Sequence, residues 1–329
     1  ECLANGITSF HDAGVNLNTI DLYKKNLTEG KLKVRIYAML SGSNKELLKQ
    51  YFANGPEIGL GNDFLSIRSV KLYSDGALGS RGAWLLEPYK DMPGEVGHST
   101  TPVENIYQVC EEALRNGFQV CTHAIGDRAN REVLNQYQKA FKTTDCNSSD
   151  FRFRIEHAQH LHPDDIPRFS EMGVIPAMQA IHMSSDRPWA IDRLGKKRIE
   201  DGAYVWQKLL KSGAVVINGT DAPVEPVNPM ECFYASITRK TLKGVPPGGY
   251  EPDQKMTRAQ ALKSYTLNAA FGAFEEDIKG SIEVGKYADF AIFDLDFMKV
   301  SEEQILNTKV IMTVVNGEVV YSDRDIKIE

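Results

Sequence analysis

The sequence lacks the short motifs that mark several common classes of enzyme. It contains no Gly-x-Ser-x-Gly elbow, no phosphate-binding P-loop and no Cys-x-x-Cys pair, so nothing indicates a serine hydrolase, a P-loop nucleotidase or a dithiol redox protein. Cysteine is scarce, and its five positions are Cys2, Cys110, Cys121, Cys146 and Cys232. An odd and widely scattered set of this kind predicts reduced thiols and a cytoplasmic location.

Long apolar runs and clusters of one charge are also missing. No apolar stretch approaches the roughly 20 residues that a membrane-spanning helix needs, and no secretory signal pattern is present at residue 1. The net charge is −6, with both signs spread along the chain and no basic stripe. We therefore expect neither a nucleic acid nor a membrane as partner. Hydrophobic content of 42% and charged content of 25% are ordinary for a globular protein.

The sequence instead contains a repeated strand-then-helix pattern. Seven β-rich runs, most of them followed by a helical segment, lie at residues 7–12, 33–40, 67–73, 119–124, 152–158, 174–179 and 214–219. Repeated βα units predict an α/β fold with a parallel sheet. Seven units are one short of a (β/α)₈ TIM-type barrel. The alternative is an open doubly wound sheet, but the chain has no glycine-rich first βα turn and no clear switch point, so the pattern favours the barrel.

The tail of the chain has a different character. Residues 290–294 and 310–315 read as strands, and Asn316-Gly317 then predicts a tight hairpin leading into residues 319–321. So few strands do not make a sheet domain with its own core. We therefore divide the chain into barrel residues 1–278 and a tail of strands, 279–329. The oligomeric state stays open, although exposed tail strands would favour a homo-oligomer.

Three of the predicted strands lead into a side chain that commonly binds metal ions. His123 and His157 end two consecutive strands, and Asp221 follows the last one. Because the carboxyl ends of parallel strands meet at one face of a barrel, we expect these side chains to converge. Alone, a strand-end histidine is more often structural and such an aspartate more often a turn residue. Together they favour a site for one or two divalent ions, with zinc suited to these ligands and Asp221 suited to proton transfer.

Further candidates lie in the same regions of the chain. Lys71 sits inside a buried-looking strand, where an amine tends to lose its proton and could form a carbamate that bridges two metals. The simpler interpretation is an ion pair between Lys71 and Asp75. His182 and Asp186 lie in the loop expected after the sixth of these runs, 174–179, and Arg81 lies in the glycine-rich loop after the strand of Lys71. We predict that these three contact the substrate.

The motifs and their order resemble the amidohydrolase superfamily, and within it the YtcJ-like branch, amidohydrolase family 3. The resemblance rests on VKLYSDGALGSRGAWL, THAIGDRAN, RIEHAQH, GTDAPVEPVNP and GSIEVGKYADF, and it runs over nearly the whole chain. It implies a (β/α)₈ barrel with a small β-sandwich built from both chain ends. It further implies a carboxylated Lys71 that bridges two divalent ions, with His123 and His157 on one ion and Asp221 on the other.

The activity that this resemblance implies is hydrolysis of a non-peptide C–N bond in a small amide or formamide, through a metal-bound hydroxide and with Asp221 as general base. One departure from the family bears on it. The family's first barrel strand carries an H-x-H pair, and no such strand precedes Glu1. We therefore expect the chain to be the C-terminal part of a longer protein. Two alternatives stay open, a non-catalytic protein of this fold and a one-metal deaminase in which Lys71 is not carboxylated.

Overall fold

The structure, a computed structural model, describes residues 1–145 and 150–323. Cys146 and the last residues of the predicted tail lie outside the described residues. The strands are β1 (Ser9–Val15), β2 (Arg35–Ser41), β3 (Glu57–Gly59), β4 (Leu65–Tyr73), β5 (Gln119–Ala124), β6 (Arg154–His157), β7 (Ile175–Met178), β8 (Ile217–Asn218), β9 (Phe290–Phe293), β10 (Val310–Val315) and β11 (Glu318–Ser322). The helices are α1 (Leu17–Thr28), α2 (Lys45–Asn54), α3 (Leu60–Asp63), α4 (Val103–Arg115), α5 (Asp127–Thr143), α6 (Ile166–Glu171), α7 (Ala180–Gly202), α8 (Trp206–Ser212), α9 (Pro229–Thr238), α10 (Arg258–Tyr265), α11 (Leu267–Phe271) and α12 (Glu302–Ile305). No helix within the described ranges is both long and apolar enough to cross a membrane.

The larger sheet contains the seven predicted strands as parallel neighbours in chain order. Its path is β1-β2-β4-β5-β6-β7-β8, and β3 adds only a short antiparallel bridge to β4. Adjacent parallel strands that follow one another in sequence need a crossover between them, which the intervening helices supply. The predicted parallel sheet of βα units is therefore confirmed.

A contact across the sheet shows that it is strongly curled. Nη1 of Arg154 in β6 lies 3.0 Å from Nδ1 of His11 in β1, although β2, β4 and β5 lie between these strands. In a flat sheet four strand spacings would separate them by about 19 Å. The parallel strands thus wrap into the wall of a barrel-like structure, as the TIM-type prediction requires. The strand expected to precede β1 stays a prediction.

The two faces of the curled sheet differ in polarity because strand side chains alternate. The outer face is apolar and packs on the helices, as Val120 and Ile155 do in the main core. The inner face is polar, with Arg154 donating to both carboxylate oxygens of Glu156 at 2.7 and 2.8 Å. Apolar packing on the outer face therefore stabilises the wall of the barrel, and buried polar groups occupy its interior.

The tail strands form a separate three-stranded antiparallel sheet in the order β11-β10-β9. Asn316 and Gly317 connect β10 to β11 with φ values of 55° and 78°, as a two-residue hairpin turn requires, so the predicted hairpin is confirmed. The sheet also contacts the start of the chain, since the Thr313 hydroxyl donates to the carbonyl of Leu3 at 2.7 Å. The division at residues 278 and 279 stays a prediction.

Helix α7 corrects one feature of the predicted pattern. A loop was expected after the sixth predicted strand, but α7 begins directly after Gln179. The backbone N–H of Ala180, the first helical residue, donates to Oδ1 of Asn218 at 3.0 Å. This acceptor comes from the end of β8, so the signal that starts the helix is not local in sequence. As a consequence, His182 and Asp186 lie on a helix rather than in a loop.

Candidate metal centre

Three side chains bring metal-binding atoms together at the carboxyl end of the parallel sheet. They are His157 at the end of β6, His182 in the first turn of α7 and Asp221 just after β8. One donor atom of each lies within 4.8 Å of the others, and both histidines are buried whereas Asp221 is exposed. Within the described parts of the chain this is the one group of three or more such residues.

Unusual backbone conformations place two of these side chains. His157 has φ of 76° and Asp221 has φ of 59°, a left-handed region that costs a non-glycine residue about 1–3 kcal/mol. Regular alternation would put His157 on the outer face with Ile155. Instead its ring makes an edge contact with the ring of His123, with centroids 4.5 Å apart. His157 therefore turns away from the face of Ile155, because the strand leaves the extended conformation at its last residue.

His157 has a defined partner on its second ring nitrogen. Nδ1 lies 2.7 Å from Oε1 of Gln179. The amide nitrogen of Gln179 donates to the carbonyl of Ala177 at 2.9 Å. The Nε2 atom of His157 is thereby left as the nitrogen available to the group of three.

His182 and Asp221 are neighbours without being hydrogen-bonded. Nε2 of His182 lies 3.6 Å from Oδ2 of Asp221, and this buried nitrogen has no hydrogen-bond partner. Burial lowers the pKa of His182 to about 4 and lowers that of His157 well below its usual value. Both rings are therefore neutral near pH 7, so each retains a lone pair for a ligand. Burial raises the pKa of Asp221, with the Lys71 charge acting in the opposite direction.

Lys71 lies on the inner wall next to this group. Its Nζ donates to the carbonyl of Leu72 at 3.2 Å and lies 3.8 Å from the centroid of the Tyr73 ring. Burial lowers its pKa to about 8, with the charge of Glu156 as the main opposing influence. The amine is thus desolvated, and its placement as a bridging metal ligand stays a prediction.

Asp75 has a structural role, and the simpler interpretation of an Lys71–Asp75 pair was wrong. The Asp75 carboxylate accepts hydrogen bonds from the backbone N–H groups of Trp84 (2.8 Å), Ile125 (3.0 Å) and Gly126 (2.8 Å). It therefore fastens the loop after β4 to the end of β5. A side chain on Gly126 would meet the Trp84 carbonyl oxygen at 2.1 Å, so this close approach requires glycine.

His123 lies beside the group of three but does not belong to it. Its ring contacts that of His157, while its Nε2 lies 3.4 Å from Oδ1 of Asp75. This nitrogen is buried and has no hydrogen-bond partner. The structure therefore brings His157 and Asp221 together with His182, which was expected to contact substrate. His123 lies outside this group and contacts the ring of its member His157. The assignment of His123 as a ligand stays a prediction.

The other two residues expected to contact substrate have protein partners. Asp186 accepts from Nε2 of Gln159 at 3.3 Å and from the Tyr204 hydroxyl at 3.4 Å, and burial raises its pKa to about 6. Arg81 forms an ion pair with Asp91, with Nη2 and Oδ2 2.9 Å apart. Their contact with a substrate stays a prediction.

Sequence reasoning missed Gln179, although a signal for it existed. Gln179 is the last residue of the sixth predicted strand, 174–179, and polar residues at the carboxyl ends of barrel strands face the site. The sequence did not distinguish it from a strand-end residue of the outer face. Its contact with His157 becomes visible only in three dimensions.

The donor set fits a divalent cation. Two neutral imidazole nitrogens and one carboxylate oxygen match the three protein ligands of many catalytic zinc sites. The buried Nε2 of His182, which has no protein partner, is the kind of atom that a cation would satisfy. His157, His182 and Asp221 are therefore the residues that would hold such an ion.

The chain is similar to several known proteins along nearly its whole length. The family whose sequence model matches is described as "Amidohydrolase family", and the match covers residues 1–321. YtcJ of Bacillus subtilis (strain 168), whose name describes it as an amidohydrolase, is 30% identical over 327 residues, covering 98% of this chain and 59% of YtcJ. An N-substituted formamide deformylase from Arthrobacter pascens is 22% identical over 330 residues, covering 97% of this chain and 58% of that protein.

A solved structure is also similar to this chain. A metal-dependent hydrolase from Pyrococcus horikoshii has a TM-score of 0.78 and 31% sequence identity, covering 89% of this chain and 57% of that one. The chain thus spans less than two thirds of the length of each of these proteins.

Proposed function

Because the chain belongs to the amidohydrolase family, as its motifs predicted, we propose that it is a metal-dependent hydrolase of a small molecule with a non-peptide C–N bond. An amide or formamide is the favoured substrate class, and the similarity to a formamide deformylase supports it. The observation that carries the proposal is the convergence of His157, His182 and Asp221 within 4.8 Å. Their position at the carboxyl end of a curled parallel sheet is where barrel enzymes hold their catalytic groups.

Each residue of the site has a role that follows from its chemistry. A divalent ion, with zinc favoured, would polarise the substrate carbonyl and lower the pKa of a water molecule when bound. His157 and His182 supply neutral nitrogen ligands. Asp221 is the group placed to move a proton, since its side chain is 36% exposed and burial raises its pKa. We assign to its carboxylate the removal of a proton from water and its delivery to the departing amine nitrogen.

Lys71 is assigned to a second ion in this proposal. Its neutral amine would react with CO₂, forming an N–C bond and releasing one proton, and the resulting carbamate would be a bridging ligand. His123 would then support the ion on its side of the site. The burial of Lys71 on the inner wall and the contact of His123 with His157 support this arrangement.

The direct test measures metal content and hydrolysis together. We expect the purified protein to retain zinc or a similar ion and to hydrolyse formamide or an N-substituted formamide. Asp221→Asn should keep much of the metal and lose most activity, whereas Asp164→Asn, a change at an exposed carboxylate, should alter neither. A protein that takes up no divalent metal and hydrolyses no amide would contradict the proposal and favour a non-catalytic member of the family.

One observation favours a second candidate, a one-metal deaminase. The three convergent donors suit a single ion, and neither Lys71 nor His123 belongs to that group. This candidate predicts one ion per chain and a Lys71→Ala variant that keeps its metal and activity. The two-ion proposal predicts that the same variant loses about half of its bound metal and most of its activity.

A further inference from the structure

Gln179 lies at the junction between β7 and α7 and contacts both buried histidines of the candidate metal centre. Its Oε1 lies 2.7 Å from Nδ1 of His157. Its backbone carbonyl accepts the N–H of His182 at 3.2 Å. A single residue therefore connects the ring of His157 to the backbone of His182, and the two histidines come from different elements of the fold.

The orientation of the Gln179 amide follows from its other contact. Its Nε2 donates to the carbonyl of Ala177 at 2.9 Å, which has no proton to offer in return. The Oε1 atom must therefore face His157, and an amide oxygen can only accept a hydrogen bond. The proton of the neutral His157 ring is consequently on Nδ1, and its lone pair is on Nε2.

The position of Gln179 is itself well determined. Ala177 is paired in β7, and the N–H of Ala180, the next residue after Gln179, is held by Oδ1 of Asn218. His157, by contrast, lies in a left-handed conformation with φ of 76°, where the strand no longer determines the direction of its side chain. The orientation of the His157 ring thus depends on a contact from outside its own strand.

We propose that Gln179 is a positioning residue that holds His157 in the Nδ1–H tautomer and so presents its Nε2 lone pair to the metal centre. This inference rests on the proposed function insofar as it concerns metal affinity. The tautomer itself is a property of the metal-free protein. Groups that hydrogen-bond to the second nitrogen of a metal-binding histidine contribute about 10–100-fold to metal affinity.

Two variants separate positioning from simple packing. Gln179→Leu removes both side-chain hydrogen bonds, whereas Gln179→Glu loses the bond to Ala177 but keeps an acceptor for Nδ1–H of His157. Gln207→Leu is a matched control, because the Gln207 side chain also takes part in two hydrogen bonds, which its Nε2 donates to the Lys255 carbonyl (2.7 Å) and to Oε1 of Gln260 (2.8 Å), away from the site.

The first measurement is the tautomer of His157 in the metal-free protein, read from the ¹⁵N chemical shifts of its ring. We expect the proton on Nδ1 in the original protein, in Gln179→Glu and in Gln207→Leu. In Gln179→Leu we expect a shift toward the Nε2–H form. A proton on Nε2 in the original protein, or an unchanged ring in Gln179→Leu, would overturn the proposal.

The second measurement is zinc affinity, by competition with a chromogenic chelator. We expect Gln179→Leu to bind zinc about 10–100-fold more weakly, with Gln179→Glu close to the original protein and Gln207→Leu unchanged. Equal losses in Gln179→Leu and Gln179→Glu would show a packing role and overturn the proposal. If the original protein binds no zinc, the proposed function fails, while the ring tautomer still decides the role of Gln179.

Discussion

Nε2 of His182 and Oδ2 of Asp221 lie 3.6 Å apart although the two residues follow different strands of the sheet. His182 belongs to the first turn of α7, and Asp221 follows β8. The two atoms are not hydrogen-bonded to each other, and the histidine nitrogen is buried without a hydrogen-bond partner. An arrangement that leaves a buried nitrogen unsatisfied is costly unless a ligand completes it.

Replacement of His182 is therefore expected to weaken metal binding. His182→Ala removes one of the three donors, so we expect zinc affinity to fall by at least about 100-fold. Loss of a residue that only hydrogen-bonds to a metal ligand costs less, about 10–100-fold. The measurement is the same chelator competition. His162→Ala alters an exposed histidine and serves as control. Unchanged zinc affinity in His182→Ala would remove this residue from the metal centre.

His160 makes the stability of the protein depend on pH. Burial lowers the pKa of His160 to about 3, with the charge of Arg198 adding to the effect. The unfolded chain therefore binds a proton near pH 6.5 that the folded chain does not bind. The contribution of neutral His160 to the free energy of unfolding is fully present above pH 6.5. It falls as the pH drops toward 3, by up to about 1.4 kcal/mol per pH unit.

Urea unfolding of the metal-free protein between pH 7.5 and pH 5 measures this dependence. Glutamine does not titrate, so His160→Gln should reduce the slope of unfolding free energy against pH. The reduction should correspond to about one bound proton, which is about 1.4 kcal/mol per pH unit. His162→Gln, which replaces a histidine whose side chain is 39% exposed, is measured alongside for comparison. Equal slopes in the original protein and in His160→Gln would contradict the expectation.

Asp75 is expected to contribute to stability through the three backbone groups that it accepts. Asp75→Asn places an N–H₂ group against at least one of the N–H donors of Trp84, Ile125 and Gly126. The lost charge-assisted bond and the unsatisfied buried donor should lower the free energy of unfolding by about 2–3 kcal/mol. Thermal and urea unfolding measure the change, with Asp164→Asn as an exposed control. A loss below about 0.5 kcal/mol would show that Asp75 does not hold the loop.

Arg35 and Asp289 connect the barrel to the tail sheet. Their side chains are 1% and 4% exposed, with Nε and Oδ2 2.6 Å apart. The guanidinium lies 4.6 Å from the centroid of the Phe64 ring and 4.0 Å from that of the Tyr287 ring. Removing one partner leaves a buried charge, so Arg35→Met alone should destabilise the protein by about 3–5 kcal/mol.

The paired variant tests the physical cause. Arg35→Met combined with Asp289→Leu removes both charges and should cost less than the sum of the two single changes, because no unpaired buried charge remains. Hydrogen exchange of the β10 amides reports whether the loss is local to the tail sheet. Additive costs in the double variant would contradict a coupled ion pair.

The sequence by itself determined the features that depend on local pattern. Apolar β-rich runs separated by helical segments predicted the parallel sheet in chain order, since each strand–helix unit buries one apolar face. Asn316-Gly317 predicted the hairpin because these residues tolerate positive φ. His157 and Asp221 were predicted as ligands from their positions at the ends of strands and from the surrounding motifs, and the structure brings them together.

Only the tertiary structure decided which donor atoms meet. The curl of the sheet brings His11 to Arg154, and it depends on packing along the whole wall. Helix α7 begins at Ala180 because Asn218, from another strand, accepts its N–H, and this places His182 beside Asp221. The left-handed conformation of His157 and its contact with Gln179 depend on neighbouring strands and helices as well. A one-dimensional pattern shows which residues lie at strand ends, but long-range contacts determine which nitrogen of each ring faces the site.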